Sequence, residues 1–160
     1  MPRISFATKP WSNDSWSVSP LNFADDVRAH LNLPKKVVLH DVTLRDGEQQ
    51  AGIVFNKKDK VKIAGMLDEL GVHRIEAGMP AVSSQDKEAV RAIARSGLHA
   101  KIFSFSRCMK QDVDLALECD VDGVAMEIPS SEQIIKYAYQ WPQDKAIDLS
   151  IEATSYAASH

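Results

Sequence analysis

The chain has 160 residues, a formal net charge of −3, 44% hydrophobic residues and 26% charged residues. These values are typical of one globular domain and argue against a broad nucleic-acid-binding surface or attachment to an anionic membrane. No apolar segment approaches the roughly 20 residues of a membrane-spanning helix. Cys108 and Cys119 have neither zinc-ligand nor redox-motif spacing, and residues 1–14 lack the apolar core of a secretory signal. We therefore expect a reduced, cytoplasmic protein.

Residues 1–36 are expected to form an N-terminal lead with one short helix. The first 18 residues or so are rich in serine, proline and tryptophan, which indicates irregular structure. Ser19-Pro20 predicts the start of a helix over about 20–31, because proline is tolerated at the first helical position, and Pro34 ends it.

From residue 37 onward, predicted strands and helices alternate. The strands are expected at about 37–44, 73–77, 100–105 and 123–128. Capping patterns predict the helix starts: Asn56 with Asp59, Ser83 with Asp86, and Ser130 with Gln133. A third helix is expected at about 110–119, and the alanine content of residues 144–160 favours a final helix. The apolar periodicity predicts these inward-facing residues: Ile63, Met66, Leu67, Leu70, Val90, Ile93, Ala94, Val113, Ala116, Leu117, Ile134, Tyr137, Ala138 and Trp141.

This alternation predicts an α/β fold with a parallel sheet, built from four βα units. A closed eight-fold barrel typically needs about 250 residues, so four units are half of one. Half a barrel leaves two sheet edges unpaired. The pattern alone leaves two alternatives open: a fragment of a longer barrel, or an open doubly wound sheet.

The first predicted strand leads into a loop that is rich in polar groups. Val37, Val38 and Leu39 form an apolar run that predicts a buried strand, and Arg45 and Asp46 follow at its C-terminal end. Ligands and catalytic groups gather at the C-terminal ends of strands in parallel α/β folds. This placement indicates that Asp46 binds a cation and that Arg45 stabilises a developing oxyanion.

Three segments resemble one enzyme superfamily. Residues 41–49, DVTLRDGEQ, resemble the signature of the metal-dependent Claisen-condensing and aldol-lyase barrels. This superfamily includes 2-isopropylmalate, homocitrate and citramalate synthases and hydroxymethylglutaryl-CoA lyase. Residues 70–81 resemble the second strand of the synthases, and residues 127–133 resemble the end of their fourth strand. Residues 51–55 are most similar to homocitrate synthase of the nitrogen-fixation type.

The resemblance implies that residues 37–160 are the N-terminal half of a TIM barrel, with about four of its eight units. It implies an acyltransferase of amino-acid biosynthesis that condenses acetyl-CoA with a 2-oxo acid, converting the acyl group into an alkyl group on transfer. A divalent metal ion (Mg²⁺, Mn²⁺ or possibly Zn²⁺) is the implied cofactor, and the complete enzyme is expected to be a homodimer. The alternatives are an aldol-type lyase and a non-catalytic, truncated barrel.

The resemblance also assigns roles to five residues. Asp46 corresponds to the metal ligand, Arg45 to the arginine that steadies the enolate or carbonyl oxygen, and Glu76 to the glutamate that orients this arginine and faces the substrate. Gln49 and Arg107 correspond to substrate-binding positions, with Arg107 expected to bind the carboxylate of the oxo acid.

Glu127 departs from the small or apolar residue expected at its position. A carboxylate there would select for a cationic substrate or repel a second carboxylate, and either effect weakens the homocitrate assignment. Alternatively, the carboxylate points to solvent. The two histidine metal ligands of the family come from a later strand, and the chain has no His-x-His spacing. Neither these ligands nor the general base can be identified in this sequence.

Overall fold

The computed structural model describes residues 11–160. The chain divides into two compact units, one ending at Val37 and the other running Val38–His160. In the first unit the predicted helix over about 20–31 consists of a 3-10 turn, Pro20–Phe23, and helix α1, Asp25–Ala29. Its start is as expected, because the Ser19 hydroxyl accepts a hydrogen bond from the backbone N–H of Leu21 at 3.3 Å. Residues 1–10 of the predicted irregular lead lie outside the described residues.

The second unit contains a parallel sheet of four strands: β1 His40–Asp41, β2 Arg74–Glu76, β3 Lys101–Arg107 and β4 Gly123–Glu127. The strands neighbour one another in sequence order. Each connection therefore moves one strand to the same side, as in a (βα)₈ barrel, whereas a doubly wound sheet reverses direction. The predicted α/β class and partial barrel are confirmed.

Four helices belong to this unit: α2 Lys57–Leu70, α3 Ser84–Ala94, α4 Lys110–Leu117 and α5 Gln143–Ala158. A 3-10 turn, Gly47–Gln49, follows β1, and a π-helical turn, Ile134–Ala138, follows β4. The Asn56 side chain accepts hydrogen bonds from the backbone N–H groups of Lys58 and Asp59, which is the predicted cap of α2. The final helix predicted for the C-terminal segment is confirmed as α5.

The core lies between one face of the sheet and the helices. Ile102 of β3 belongs to the buried cluster, and so do Ile75 of β2 and Val90 and Ile93 of α3. Successive strand residues point to opposite faces of a sheet, so Phe103 and Phe105 of β3 lie on the other face, where both are half-buried. The residues discussed below lie on this second face and at the C-terminal ends of the strands.

The prediction of a buried first strand over about 37–44 is wrong. Only His40 and Asp41 pair with β2, and the three preceding apolar residues, Val37, Val38 and Leu39, are exposed. In the described sheet β1 is an edge strand with one neighbour. Because β1 has a neighbouring strand on one side only, the apolar side chains that precede it are not covered by other parts of the described sheet.

Several predicted helix faces are also wrong in part. In α2, Met66 and Leu70 are exposed, because the buried side of the helix contains Lys60 and Ala64. In α4, Leu117 is partly exposed, although its predicted neighbours Val113 and Ala116 are buried.

The segment after β4 differs from its predicted helix in periodicity. Ile135 is buried and Ile134 and Tyr137 are exposed, because the π-helical turn changes the angular spacing of the side chains. The predicted cap at Ser130 is not formed: no side-chain cap is recorded for this described segment, and the hydroxyl of Ser131 donates instead to the amide oxygen of Gln133 at 3.0 Å.

No helix in the described part of the chain has the length and apolar character needed to cross a membrane.

Candidate functional site

A tight turn after β1 presents Arg45 and Asp46. The carbonyl oxygen of Val42 accepts hydrogen bonds from the backbone N–H groups of Arg45 at 3.1 Å, Asp46 at 2.8 Å and Gly47 at 3.3 Å. The chain therefore reverses direction within a few residues of the strand end. This geometry places the two side chains at the same edge of the sheet as the C-terminal end of β2.

The guanidinium of Arg45 is held on three sides. Its Nε donates to Oε1 of Glu76, which is buried at the end of β2, and its Nη1 donates to Oδ1 of Asp46 at 3.0 Å. The guanidinium carbon also lies 4.4 Å from the centre of the Phe105 ring, a cation–π contact with β3. The residues predicted at positions 45, 46 and 76 are thus brought together at the ends of neighbouring strands.

Glu76 has a second partner that the sequence reasoning did not single out. Its Oε2 lies 3.2 Å from Nε2 of His40, and the His40 ring packs edge-on against Phe103, with centroids 5.4 Å apart. The sequence offers one signal for the aromatic contacts at this site: phenylalanine alternates with serine along β3, which places Phe103 and Phe105 on the face opposite Ile102. Glu76 therefore fixes side chains of both β1 and the following turn.

An open cleft of about 630 Å³ adjoins this turn. Arg45, Gln49 and Lys60 contribute polar groups to it, and much of the remaining wall is apolar, including Ile53 and Val82. Gln49 is exposed at the end of the 3-10 turn, so its amide can reach a molecule in the cleft. Pockets with apolar walls and a few polar groups are typical of small-molecule sites.

Arg107, the other predicted substrate residue, is engaged elsewhere. Its Nε and Nη2 each donate to the carboxylate of Asp112 at 2.8 Å, at the start of α4. The guanidinium lowers the pKa of Asp112 below its usual range, and the carboxylate raises the pKa of Arg107 in turn. The structure does not bring Arg107 into contact with the group around Arg45, and its role in substrate binding stays a prediction.

Glu127, which departs from the residue type expected at its position, lies at the end of β4. It is exposed and in register with Arg107. The sequence left open whether this carboxylate faces a substrate or solvent. Exposure at a strand end is compatible with both, so the effect on substrate choice stays a prediction.

Asp46 is chemically suited to be one ligand of a hard divalent cation. Its side chain is 59% exposed, and the hydrogen bond from Arg45 occupies Oδ1, whereas Oδ2 has no recorded hydrogen bond among the described residues. Within residues 11–160, however, no group of three or more His, Cys, Asp or Glu side chains is arranged to hold a metal ion. The role of Asp46 as a metal ligand therefore stays a prediction.

Comparison with known proteins gives consistent results. The chain is 39% identical over 143 residues to the homocitrate synthase AksA of Methanothermobacter thermautotrophicus, which covers 89% of this chain and 36% of that protein. It is 48% identical over 129 residues to a probable 2-isopropylmalate synthase of Ignicoccus hospitalis, covering 81% of this chain and 32% of the relative. The chain thus spans about a third of the length of these curated relatives.

The fold is shared with an HMG-CoA lyase of Bacillus subtilis, whose crystal structure matches 79% of this chain and 44% of that chain, with a TM-score of 0.66 at 17% sequence identity. The family model described as HMGL-like matches residues 36–160, which include every strand of the sheet. The chain therefore belongs to the HMGL-like family.

Proposed function

We propose that this chain supplies Arg45, Asp46 and Glu76 to an acyltransferase that condenses acetyl-CoA with a 2-oxo acid. The observation that carries the proposal is the fixed guanidinium of Arg45, bound at Nε by Glu76 and at Nη1 by Asp46. The similarity to homocitrate and 2-isopropylmalate synthases supports a condensing reaction over a cleaving one, because such synthases condense acetyl-CoA with a 2-oxo acid.

In the proposed reaction, Arg45 stabilises negative charge on the oxygen of the acetyl thioester when its methyl group loses a proton to a base that residues 11–160 do not identify. The enolate carbon bonds to the carbonyl carbon of the oxo acid, whose oxygen takes up a proton, and water then cleaves the thioester to a carboxylic acid and free coenzyme A. A guanidinium keeps its charge at all working pH values and donates in a fixed plane. Glu76 binds Nε and Asp46 binds Nη1, and no partner is recorded for Nη2 among residues 11–160. Nη2 is therefore the donor that is available to a substrate oxygen, and it needs no rearrangement at the moment of reaction.

Asp46 would hold a divalent cation, Mg²⁺, Mn²⁺ or Zn²⁺, together with ligands from outside this group of residues. When bound, such a cation polarises the carbonyl group of a 2-oxo acid and makes its carbon more electrophilic. The role of Asp46 on the protein side is to offer Oδ2 while Oδ1 remains bound to Arg45. This shared carboxylate would keep the cation and the guanidinium adjacent.

Gln49 and Arg107 are proposed as substrate-binding residues. The position of Gln49 on the wall of the cleft supports its role. Arg107 has an exposed guanidinium whose Nη1 carries no recorded hydrogen bond in the described residues, and this nitrogen would receive a carboxylate. We further propose a cytoplasmic location for the complete enzyme, which cell fractionation would test, and a homodimeric state, which light scattering would test.

The experiment uses the complete enzyme that contains this chain and measures free thiol released from acetyl-CoA with a panel of 2-oxo acids and Mg²⁺ or Mn²⁺. We expect release that depends on the oxo acid and that falls by a factor of about 10²–10³ in Arg45→Lys, because a lysine cannot donate from a guanidinium plane. Asp46→Asn should weaken cation binding in calorimetry. The matched control, Arg95→Lys, changes an exposed arginine on α3's C-terminal side and should leave release unchanged. Thiol release that is unaffected by Arg45→Lys, or absent with every oxo acid, would contradict the proposal.

A further inference from the structure

A lysine is buried beside the turn that carries Arg45 and Asp46. The side chain of Lys60, in the first turns of α2, is only 2% exposed, and its Nζ lies 2.5 Å from Oε2 of Glu48 and 3.1 Å from Oδ1 of Asp86. Lysine is almost never fully buried unless it is paired. The two carboxylates satisfy this requirement, and they come from two different segments of the chain.

We propose that Lys60 is a positioning residue that fixes the turn after β1, and through it the guanidinium of Arg45. The assignment to catalysis rests on the proposed function, whereas the positioning itself does not. Glu48 belongs to the 3-10 turn Gly47–Gln49, directly after Asp46 and Gly47. An ion pair at Glu48 therefore acts on the segment that presents both side chains.

Glu48 also binds the far end of the loop that connects β1 to α2. Its Oε1 accepts a hydrogen bond from the backbone N–H of Phe55 at 2.9 Å, while its Oε2 binds Lys60. The carboxylate therefore ties the start of the loop to its end and to α2. Its orientation depends on Lys60, because an N–H group alone is a weaker partner than an ammonium.

Asp86 provides the second, rigid attachment. Its Oδ2 accepts a hydrogen bond from the hydroxyl of Ser83 at 2.6 Å, and the same hydroxyl accepts from the backbone N–H of Asp86 at 3.1 Å. The carboxylate is thus fixed within the first turn of α3. Lys60 consequently links the loop after β1 to the capped start of α3.

The backbone just after β2 lies close to the ammonium group of Lys60. Gly78, two residues after Glu76, has φ of +143°, and a Cβ there would lie 3.5 Å from Nζ of Lys60 and 3.3 Å from Cγ2 of Val90. A side chain at this position would strain the backbone and crowd the lysine. Lys60 therefore lies beside the segment that follows Glu76 as well as the turn that presents Arg45.

Removing the ammonium should release the turn. Without Lys60, Glu48 and Asp86 are two partly buried carboxylates that repel each other, so Glu48 turns to solvent and the turn loses its attachment. The matched control is Lys57, one turn earlier on the same helix, whose ammonium pairs with Glu88 at 3.5 Å on the exposed side.

The experiment compares Lys60→Met with Lys57→Met by NMR of this chain, without metal or substrate. We expect amide hydrogen exchange at Asp46 to rise about tenfold or more in Lys60→Met relative to the exchange at Ile102 of β3. The side-chain Nε–H signal of Arg45 should shift or broaden as its hydrogen bond to Glu76 weakens. Lys57→Met should leave both signals unchanged.

A second variant keeps the test decisive if Lys60→Met does not fold. Glu48→Gln retains the Lys60–Asp86 pair and should produce the same changes at Asp46 and Arg45 in smaller measure. If either folded variant loses global stability while the relative exchange at Asp46 and the Arg45 signal stay as in the parent, Lys60 has only a structural role and the inference is overturned. Failure of the proposed function would appear separately, as thiol release that is insensitive to Arg45→Lys.

Discussion

The ion pair between Arg107 and Asp112 should be worth far more to the fold than a similar pair nearby. The Asp112 side chain is 3% exposed and the Arg107 side chain is 57% exposed, so Arg107→Ala leaves a buried carboxylate without its guanidinium. Two charge-assisted hydrogen bonds of 2.8 Å are lost. Among the donors recorded in residues 11–160, the backbone N–H of residue 107 then remains, at 3.1 Å. Allowing for solvent screening at the exposed arginine, we expect a loss of about 2 kcal/mol in the free energy of unfolding.

The control is the pair Arg95–Asp120, in which both side chains are more than half exposed although the hydrogen bonds are as short. Arg95→Ala should cost less than about 1 kcal/mol, because exposed ion pairs contribute little. Both variants are measured by urea unfolding, followed by circular dichroism at 222 nm.

The pH dependence follows from the direction of the pKa shift. The hydrogen bonds from Arg107 lower the pKa of Asp112 in the folded chain, so this contribution is fully present above the unfolded-state pKa of about 3.9 and is lost as the pH falls through the folded value. The stability difference between the parent and Arg107→Ala should therefore be greatest near neutral pH and shrink below about pH 4. Equal losses in Arg107→Ala and Arg95→Ala, or a difference that does not change with pH, would refute this reasoning.

Four further outcomes are expected. Gly123→Ala should destabilise the chain by about 1–3 kcal/mol in urea unfolding, because the new Cβ would lie 2.5 Å from Cε1 of Phe103. Gly65→Ala, within α2 and with no atom within 4 Å of the new Cβ, should instead be neutral or stabilising, and the opposite ranking would contradict the packing argument. Asn56→Ala should cost about 1 kcal/mol through loss of the α2 cap, and an unchanged urea midpoint would argue against the capping box. Cys119, whose thiol pKa is raised by burial, should react with a thiol reagent only when the chain unfolds; rapid labelling of the native chain would show that the site opens.

The sequence predicts the proximity of the candidate site residues well, because these polar residues lie at strand ends. Arg45 and Asp46 follow β1, and Glu76 is the last residue of β2. Parallel neighbours bring their C-terminal ends to one edge, so the proximity of these residues follows from topology alone. The roles of these residues stay predictions, since proximity does not establish catalysis.

The sequence predicts the buried side of α2 poorly, for a physical reason. Hydrophobic periodicity assigns charged residues to the exposed side of a helix, whereas Lys60 is buried because Glu48 and Asp86 are both within ion-pair distance. These partners belong to the preceding turn and to the next helix, so no pattern within α2 reveals them. The misplaced face at Ile134 has a similar origin, because a π-helical turn breaks the 3.6-residue period on which the prediction depends.

The unequal lengths of the two outer strands affect how the molecule associates. With only two residues, β1 offers a poor template for another polypeptide, whereas the five residues of β4 carry a row of peptide groups without a partner in the described sheet. Intermolecular strand addition should therefore begin at β4 in concentrated solution. The exposed carboxylate of Glu127 at its tip opposes this self-association by charge repulsion, so neutralising it should favour aggregation.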